Sequence, residues 1–485
     1  MEPVFELPIR IPPRNSGERL RALHGQLKAA ILEGRLRPGL RLPATRVLAS
    51  NYGVSRNTAI ATYDLLLSEG YITTRHGAGT YVSDVLPRMS QLAGRPKGGT
   101  KRVRQLNDFW QSPELFRELI DEPARFKFRL GRPDISKFPM GVWRRLAART
   151  LRAFARVPLT DETSKGRSSL REAIAKHVSF ARAVACDASD VVVTSGAQQA
   201  FDLLSRILVT PKRTVVAVED PGYARARLAF TAAGAKICPV PVDEEGLIVD
   251  KIPKNARIIY VTPSHQFPTG AAMSPHRRAA LLAFANAHDA VIIEDDYDSE
   301  FRFGARPLDA LQTLDRAGSV FYVGTFSKSL FPDLRLGFVV APAWAQPALV
   351  AAKQYADGQS SPLLQETLAS FISEGHLARH VRRMRQIYST RREALLDGLE
   401  KHLSDHLTPV PSAAGLHLAA FTRPSANADR IVEKARGHGT GVYSLRRFQV
   451  GRGGRSGLVF GYGSLTEREI SEGLVRLTRA FNDVR

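Results

Sequence analysis

Apolar positions recur at helical spacing in residues 16–34 (SGERLRALHGQLKAAILEG), where Leu20, Leu23, Leu27, Ala30 and Ile31 share one face. Ser16 is placed to cap that helix, and Gly34 with the following Arg-Pro-Gly to end it. Residues 42–71 (LPATRVLASNYGVSRNTAIATYDLLLSEGY) read as two short helices broken at Tyr52-Gly53. Gly53 suits the stop of the first and Ser55 the cap of the second. Val47, Leu48, Val54, Ile60, Leu65, Leu66 and Leu67 are the expected core, with Tyr63 packed against it. TTRHGAGTYV then alternates about a Gly-rich turn, as a hairpin does. Helix, helix–turn–helix, hairpin predicts a winged helix–turn–helix over residues 13–83.

From 84 to 124 the periodicity decays into Pro, Gly and basic residues (VLPRMSQLAGRPKGGTKRVRQ), which predicts a flexible basic linker. Periodic structure resumes at FKFRLGRPD and fills the expected body, 125–485. The strand-like runs VVVTSG, TVVAVED, RIIYVTP, AVIIEDD, VFYVGTF and LGFVVAP alternate with helix-like SSLREAIAKHVSFARA and AQQAFDLLSRIL. That alternation predicts a mostly parallel, buried sheet with helices on both faces. Beyond 360 the segments turn mainly helical, with a smaller α/β unit at 405–485, and no internal repeat is present.

Length and charge sharpen this division. At 485 residues the chain is too long for one ordinary core. Of the net +22, residues 1–104 hold 17 Lys/Arg against 7 Asp/Glu, a net of +10, about three times the charge density of the rest. That is the electrostatic footprint of a polyanion binder. The two cysteines, Cys186 and Cys238, stand alone in apolar surroundings and read as core packing in a reducing compartment. No apolar run reaches membrane-spanning length, and MEPVFELPIR lacks the apolar core of a signal peptide. The expectation is a soluble cytoplasmic protein without a membrane partner.

In a helix–turn–helix the N-terminal residues of the second helix meet base edges and phosphates in the major groove. Here those are Ser55, Arg56, Asn57 and Thr58. Arg56 offers two parallel donors suited to a guanine edge, and the hydroxyls suit phosphate oxygens. Arg46 opens the preceding helix and reaches for the backbone, while Arg75 and His76 beside Gly77 form a wing tip for the minor groove. In order and spacing this segment resembles the DNA-binding domain of the GntR family, which implies double-stranded operator DNA as a partner.

The body carries a second set of residues. In TFSKSL, Lys328 has small hydroxyl neighbours, as a Schiff-base lysine needs, so that an aldehyde cofactor can approach. Thr325, Ser327 and Arg335 are placed to hold a phosphate. In TSGAQQAFDLL the backbone N–H groups of Gly196, Ala197 and Gln198 begin a helix and offer a second phosphate contact. AVIIEDDYDSEF brings Asp295, suited to a protonated pyridine nitrogen, and Tyr297, suited to a ring hydroxyl; Tyr223 in EDPGYARAR sits on a turn where its ring could stack on a flat cofactor. Glu294 and Asp296 read as solvated or structural acids.

These four segments resemble fold-type I pyridoxal-phosphate enzymes of the aminotransferase class I group, and with the GntR head they resemble MocR-type regulators along nearly the whole chain. The resemblance implies a multidomain protein, an α+β winged head and an α/β body of the pyridoxal-phosphate transferase fold with a small α/β subdomain. It implies pyridoxal 5'-phosphate as cofactor, with Lys328 as its Schiff-base lysine, Asp295 on the ring nitrogen, Tyr297 on the ring hydroxyl and Tyr223 stacked. Thr325, Ser327 and Arg335 would take the phosphate. Arg225 matches a position that helps hold an effector carboxylate, and a homodimer is implied.

Three departures stand out. Phe267 replaces the asparagine that bonds the ring hydroxyl in the enzymes, with Gln266 or His265 as substitutes. LVFGYGSL lacks the enzymes' carboxylate-binding arginine, although Arg446, Arg447, Arg452 and Arg455 lie just upstream, and Arg447 is the candidate chosen among them. Asp161 or Glu162 falls where a tyrosine often reaches the partner subunit's phosphate. These changes favour a regulator sensing pyridoxal phosphate or an amino compound over the alternative, a working aminotransferase with an accessory DNA-binding head. No metal site is expected.

Overall fold

The first unit of the computed structural model is built on α1 (Arg19–Leu32), α2 (Thr45–Asn51), α3 (Arg56–Ser68) and a hairpin of β1 (Ile72–Arg75) with β2 (Gly79–Val82). The structure describes residues 7–13, 18–75, 78–84, 107–112, 115, 124–156, 164–303, 308–424, 426–451 and 453–484. Two units divide at residues 106 and 107.

In the first unit Leu23, Leu27 and Ile31 of α1 meet Leu48 of α2, Ala59, Tyr63 and Leu66 of α3, and Ile72 and Val82 of the hairpin. Gly53 takes a left-handed φ of +58° between α2 and α3, and Ser55 accepts from the Thr58 N–H at 3.0 Å, as the stop and cap signals predict. Ser16, the expected cap of α1, lies outside the described residues, and Glu18 at the N-cap makes no side-chain cap bond. The expected core was too generous. Ile60, Leu65 and Leu67 are 37–42% exposed. The buried face of α3 recurs at Ala59, Thr62, Tyr63 and Leu66, so a 3.6-residue period turns their apolar neighbours outward.

Within the expected linker, Asp108–Gln111 form one 3-10 turn capped by Asn107. The second unit then builds an eight-stranded sheet from β4 (Val191–Thr194), β5 (Val215–Asp220), β6 (Lys236–Asp243), β7 (Gly246–Leu247), β8 (Ala256–Val261), β9 (Val291–Asp296), β10 (Val320–Thr325) and β11 (Gly337–Val340). Its order is β4-β11-β10-β9-β8-β5-β6-β7. The pairs β10–β9, β9–β8, β8–β5 and β5–β6 are parallel, while β11 runs against both its neighbours and β7 against β6. All six strands predicted from sequence are present. β6 escaped because KICPVPVD carries two prolines in an exposed-to-half-buried strand.

Successive residues of each strand serve opposite cores. On β9, Ile293 packs with Phe201 of α6 (Ala197–Leu208) and Phe230 of α7 (Ala224–Ala232), whereas Ile292 packs with Leu281 of α8 (Pro275–His288). On the far side α5 (Ser168–Arg182) covers β4 through Leu170, Ile174 and Val178, in one core with Trp143 and Leu146 of α4 (Met140–Phe154).

The smaller sheet joins β12 (Leu407–Pro409), β13 (His417–Thr422), β16 (Gly457–Gly461) and β15 (Tyr443–Ser444) in that order, backed by the helices Ala428–Gly437 and Glu467–Asn482. It is not a unit of 405–485 alone. β3 (Phe126–Lys127), at the start of the body, pairs in parallel with β14 (Thr440–Gly441), and Phe126 and Phe128 join its core. The cysteines are free and half-buried at the margins, not in the core. No described helix is long and apolar enough to cross a membrane.

Candidate functional site

In an open parallel sheet the loops at the carboxyl ends of the strands face one crevice. That rule collects the predicted residues here. β4 runs into Gly196 and α6, β5 into Tyr223 and α7, β9 into Asp295 and Tyr297, and β10 into Thr325, Ser327 and Lys328. Of these, Ala197, Gln198, Tyr223, Asp295, Tyr297, Thr325, Ser327 and Lys328 line a single cleft of about 1010 Å³, together with Arg225, Arg335 and Arg447.

One end of the cleft is an anion cradle. Gly196, at φ +84°, precedes the first N–H groups of α6, where a helix attracts negative charge. The Arg335 guanidinium comes to 3.4 Å of a Cβ placed on Gly196 and donates to the Ser195 carbonyl at 2.9 Å. Thr325 Oγ1 accepts from the Ser327 N–H at 3.2 Å and lies 3.1 Å from Ser327 Oγ, so both hydroxyls hold one turn.

The three acids that end β9 are sorted by the two-residue period of the strand. Glu294 and Asp296 point away from the cleft. Glu294 accepts from the N–H groups of Leu311 and Gln312 at 2.8 and 2.9 Å. Asp296 takes Arg182 at 2.7 Å and the Tyr322 hydroxyl at 2.6 Å. Burial pushes against the Asp296 charge, yet Arg182 and Tyr322 hold its carboxyl below the ordinary range. Both acids are structural and buried, not solvated. Asp295 faces the other way, 4% exposed, and accepts the Tyr260 hydroxyl on Oδ2 at 2.6 Å. Its Oδ1 is buried with no partner. Burial pushes the Asp295 carboxyl up to about 7 against the pull of Tyr260 and Lys328.

Lys328 is half-buried and donates to the Gly131 carbonyl at 3.0 Å. Burial lowers its pKa, Asp298 and Asp295 counter that, and Arg225 and Arg132 add to it. An amine biased towards its neutral form is a nucleophile for a carbonyl carbon. The cleft needs glycine at 131, where φ is +60° and an added Cβ would lie 2.4 Å from Lys328 Nζ.

Aromatic rings set the cleft's width. Tyr223 stands edge-on to Phe267 at 5.4 Å, and Phe267 edge-on to Phe448 at 5.2 Å. The Tyr297 hydroxyl donates to the His265 carbonyl at 2.9 Å, so the phenol expected on a ring hydroxyl spends its proton within the protein. Asp220 closes the mouth by accepting from the N–H groups of Val450 and Gly451, each at 2.8 Å.

Among the C-terminal arginines, Arg446 and Arg447 line the cleft. Arg455 instead lies 3.5 Å over the Phe421 ring, and Arg452 lies outside the described residues, as do Asp161 and Glu162. Sequence reasoning missed Arg129, Arg132, Gly131, Tyr260, Glu219 and His417. The glycine in FKFRLGRPD was the one signal available for the first three.

In the head, Ser55, Arg56 and Asn57 are exposed at the start of α3, and Arg46 is exposed near the start of α2. Thr58 is half-buried, 2.8 Å from Ser55 Oγ, so these two hydroxyls cap the helix first. Arg75 lies 4.8 Å over the Tyr81 ring and 3.5 Å from Asp84. His76 and Gly77 lie outside the described residues.

Comparison with known proteins follows this division. Residues 21–82 match the family described as bacterial regulatory proteins, gntR family, and residues 158–458 match aminotransferase class I and II. The chain is 38% identical over 95% of its length, and 93% of the relative's, to the probable rhizopine catabolism regulatory protein MocR of Rhizobium meliloti. It is 31% identical, over 95% of this chain and 96% of the relative, to the pyridoxine biosynthesis transcriptional regulator PdxR of Corynebacterium glutamicum. LysN, an alpha-aminoadipate aminotransferase of Thermus thermophilus solved with N-(5'-phosphopyridoxyl)-L-leucine, superposes at a TM-score of 0.71 and 29% identity, covering 78% of this chain and 97% of its own.

Proposed function

The chain belongs to the MocR-type regulators, a gntR-family head joined to an aminotransferase class I and II body, and we propose that the body binds pyridoxal 5'-phosphate and reports an amino compound, or the cofactor itself, to the head. The division proposed is a DNA-binding head at 13–83, a basic linker at 84–124 and a sensing body at 125–485. The protein would act as a cytoplasmic homodimer, whose two-fold symmetry suits paired half-sites.

The observation that carries the cofactor reading is Asp295 Oδ1, a buried acceptor without a partner at the floor of a cleft that also holds Lys328. A buried carboxylate oxygen left open is costly, and a pyridinium N–H would satisfy it. The residues therefore fit the group. The anion cradle at Gly196, Ala197, Gln198, Thr325, Ser327 and Arg335 would hold the phosphate, and Tyr223 would cover one ring face. When bound, pyridoxal phosphate supplies an aldehyde carbon that primary amines attack reversibly. This chain's part is to present Lys328 biased towards its neutral form, to offer the Asp295 carboxyl to the ring nitrogen and to exclude water with the Tyr223, Phe267 and Phe448 rings. Arg225 and Arg447 are the proposed holders of an effector carboxylate. Any shift in DNA affinity must equal the effector's differential affinity for the two arrangements of the protein.

A visible spectrum of the purified protein tests the cofactor, and amines added to it test the sensing. Colourless protein that stays colourless with added pyridoxal phosphate rejects the reading.

The Asp295 assignment also predicts a pH dependence. Between about pH 4 and its folded value near 7, Asp295 binds more protons folded than unfolded. Its contribution is therefore present at low pH and lost as pH rises. Glu219, pushed up to about 7 by burial, has the same sign. His177, His417 and His380, each lowered by burial (the last to about 4), have the opposite sign. The cofactor's phosphate also titrates in this window and the lowered Lys328 amine moves towards it, so the comparison of wild type with Asp295→Asn isolates the carboxyl. The gain in Tm on adding pyridoxal phosphate should be larger at pH 8 than at pH 5.5, and Asp295→Asn should flatten that difference. An Asp295→Asn variant with the same pH dependence as wild type would remove Asp295 from the ring nitrogen.

In the head, Arg56→Ala is expected to weaken operator binding by roughly 1–3 kcal/mol and to relax choice at one base position. Binding titrations against a footprinted site and its point variants measure this. Equal loss on every sequence would recast Arg56 as a phosphate contact. The cofactor spectrum should not change.

A further inference from the structure

Nine lysines and arginines line the cleft against two acids, Asp295 and Asp429, among the described residues. A bound phosphate brings roughly two negative charges, and one effector carboxylate adds a third. The cleft is therefore built for more anionic charge than a cofactor and a simple amino acid carry. Most of its arginines are already engaged. Arg335 donates to the Ser195 carbonyl at 2.9 Å, Arg446 lies 3.9 Å from Asp429, and Arg447 lies over the Tyr443 ring. Arg129, Arg225 and Arg436 each have an interaction of their own as well.

Arg132 is different. Its side chain is exposed in the cleft and makes no hydrogen bond or ion pair among the described residues. The backbone that carries it is nevertheless fixed on both sides. The preceding Gly131 carbonyl accepts from Lys328 Nζ at 3.0 Å. Two residues on, the Asp134 carboxylate takes Arg391 at 2.7 Å, and the same guanidinium donates to the Gly463 carbonyl at 2.6 Å. Gly461 and Gly463, at and just beyond the end of β16, let this segment lie close, because a Cβ at either would overlap the carbonyl oxygen of Arg129 or Arg132. A guanidinium on a clamped backbone with no protein partner is preorganised for a ligand.

We infer that the effector is an amino compound with two acid groups, the first carboxylate held by Arg225 and the second acid by Arg132. The inference rests on the reading of the cleft as a pyridoxal-phosphate site with Arg225 as the first carboxylate's holder. The effector's amine must come to the Lys328 position, and Arg132 and Arg225 both act electrostatically on that amine. They reach it from different segments, α7 and the loop packed against the end of β16. A carboxylate bonded bidentately to Arg225 has no oxygen left for Arg132. A second acid on the effector's side chain meets Arg132 in a charge-assisted pair, whereas an amide of the same shape brings no charge to it. Arg132 thus selects acid over amide.

The test uses full-length protein saturated with pyridoxal phosphate and follows the absorbance change on adding matched pairs. These are L-aspartate with L-asparagine, L-glutamate with L-glutamine, and L-α-aminoadipate with its side-chain amide. In wild type at least one acid should act at a concentration roughly 10- to 100-fold below its amide, the scale of one charge-assisted hydrogen bond. Arg132→Gln should respond to that acid and its amide at similar concentrations. Arg132→Lys, which keeps the charge, should retain part of the preference. The side chain is exposed and unpaired, so neither variant endangers the fold. No response to these acids in wild type, no preference for any of them, or an undiminished preference in Arg132→Gln overturns the inference. So does an Arg132→Gln variant that loses acid and amide by the same factor, which would make Arg132 a second contact to the first carboxylate. Wild type that never acquires cofactor absorbance fails at an earlier and separate signal, and rejects the cofactor site and the inference with it.

Discussion

Lys328→Ala is expected to abolish the visible absorbance that comes from covalent attachment of the cofactor while leaving the fold and DNA binding largely intact. Lys328 sits on the loop after β10 in a cleft rather than in a core, and its amine donates to the Gly131 carbonyl at 3.0 Å. Removing the side chain takes away a desolvated amine and returns that carbonyl to the water of the cleft, so the melting temperature without cofactor should change little. The covalent loss should be complete, because among the described residues no other lysine lines the cleft near Asp295: Lys127, the one other lysine there, lies on the strand that pairs with Thr440–Gly441. Borohydride reduction followed by mass spectrometry measures this directly. Wild type should gain the mass of the reduced cofactor at Lys328. A variant retaining the same reducible adduct would move the attachment site elsewhere.

The second large effect is expected at Arg225. It is the second residue of α7, exposed in the cleft two positions after Tyr223, and close enough to Lys328 to depress its pKa. A carboxylate carried into the cleft by an amino compound would meet it in a charge-assisted, bidentate pair. Arg225→Ala should leave the cofactor absorbance in place and raise the effector concentration needed for a spectral shift by on the order of 100-fold, the scale of a truncated charge pair. DNA binding without effector should survive. If the variant responds at wild-type concentrations, Arg447, which lines the same cleft and lies 5.5 Å over the Tyr443 ring, becomes the carboxylate holder. If no amino compound perturbs the wild type at all, the cofactor is itself the signal.

Both predictions were available in outline before the fold was known, and the reason is local. The stop at Gly53, the cap at Ser55 and the small neighbours of Lys328 are properties of a few adjacent residues, whose turn and cap chemistry acts within one helical turn. The runs VVVT, VIIEDD and VFYVGT are buried strands because a two-sided sheet needs apolar residues on both faces, and that requirement is written in each run. Sequence alone therefore determined the head, six strands of the large sheet and the residues that meet at their ends. What it misjudged was orientation within a helix, as at Ile60, Leu65 and Leu67, where composition promised burial and the 3.6-residue period denied it.

Only the tertiary structure decided matters that depend on distant segments. β11 runs antiparallel to both its neighbours, and the pairing of Phe126–Lys127 with Thr440–Gly441 joins the two ends of the body. Gly131 meets Lys328 and His417 lies near Tyr297, although only the glycine in FKFRLGRPD, and nothing in the strand His417–Thr422, hints at a part in a site. Which buried atoms are already satisfied is decided the same way. Gln266 and His265 looked free in sequence and are committed, while Asp295 Oδ1 and His417 Nε2 are open. A residue's type states which hydrogen bonds it can make; only its neighbours in space determine which remain to be made.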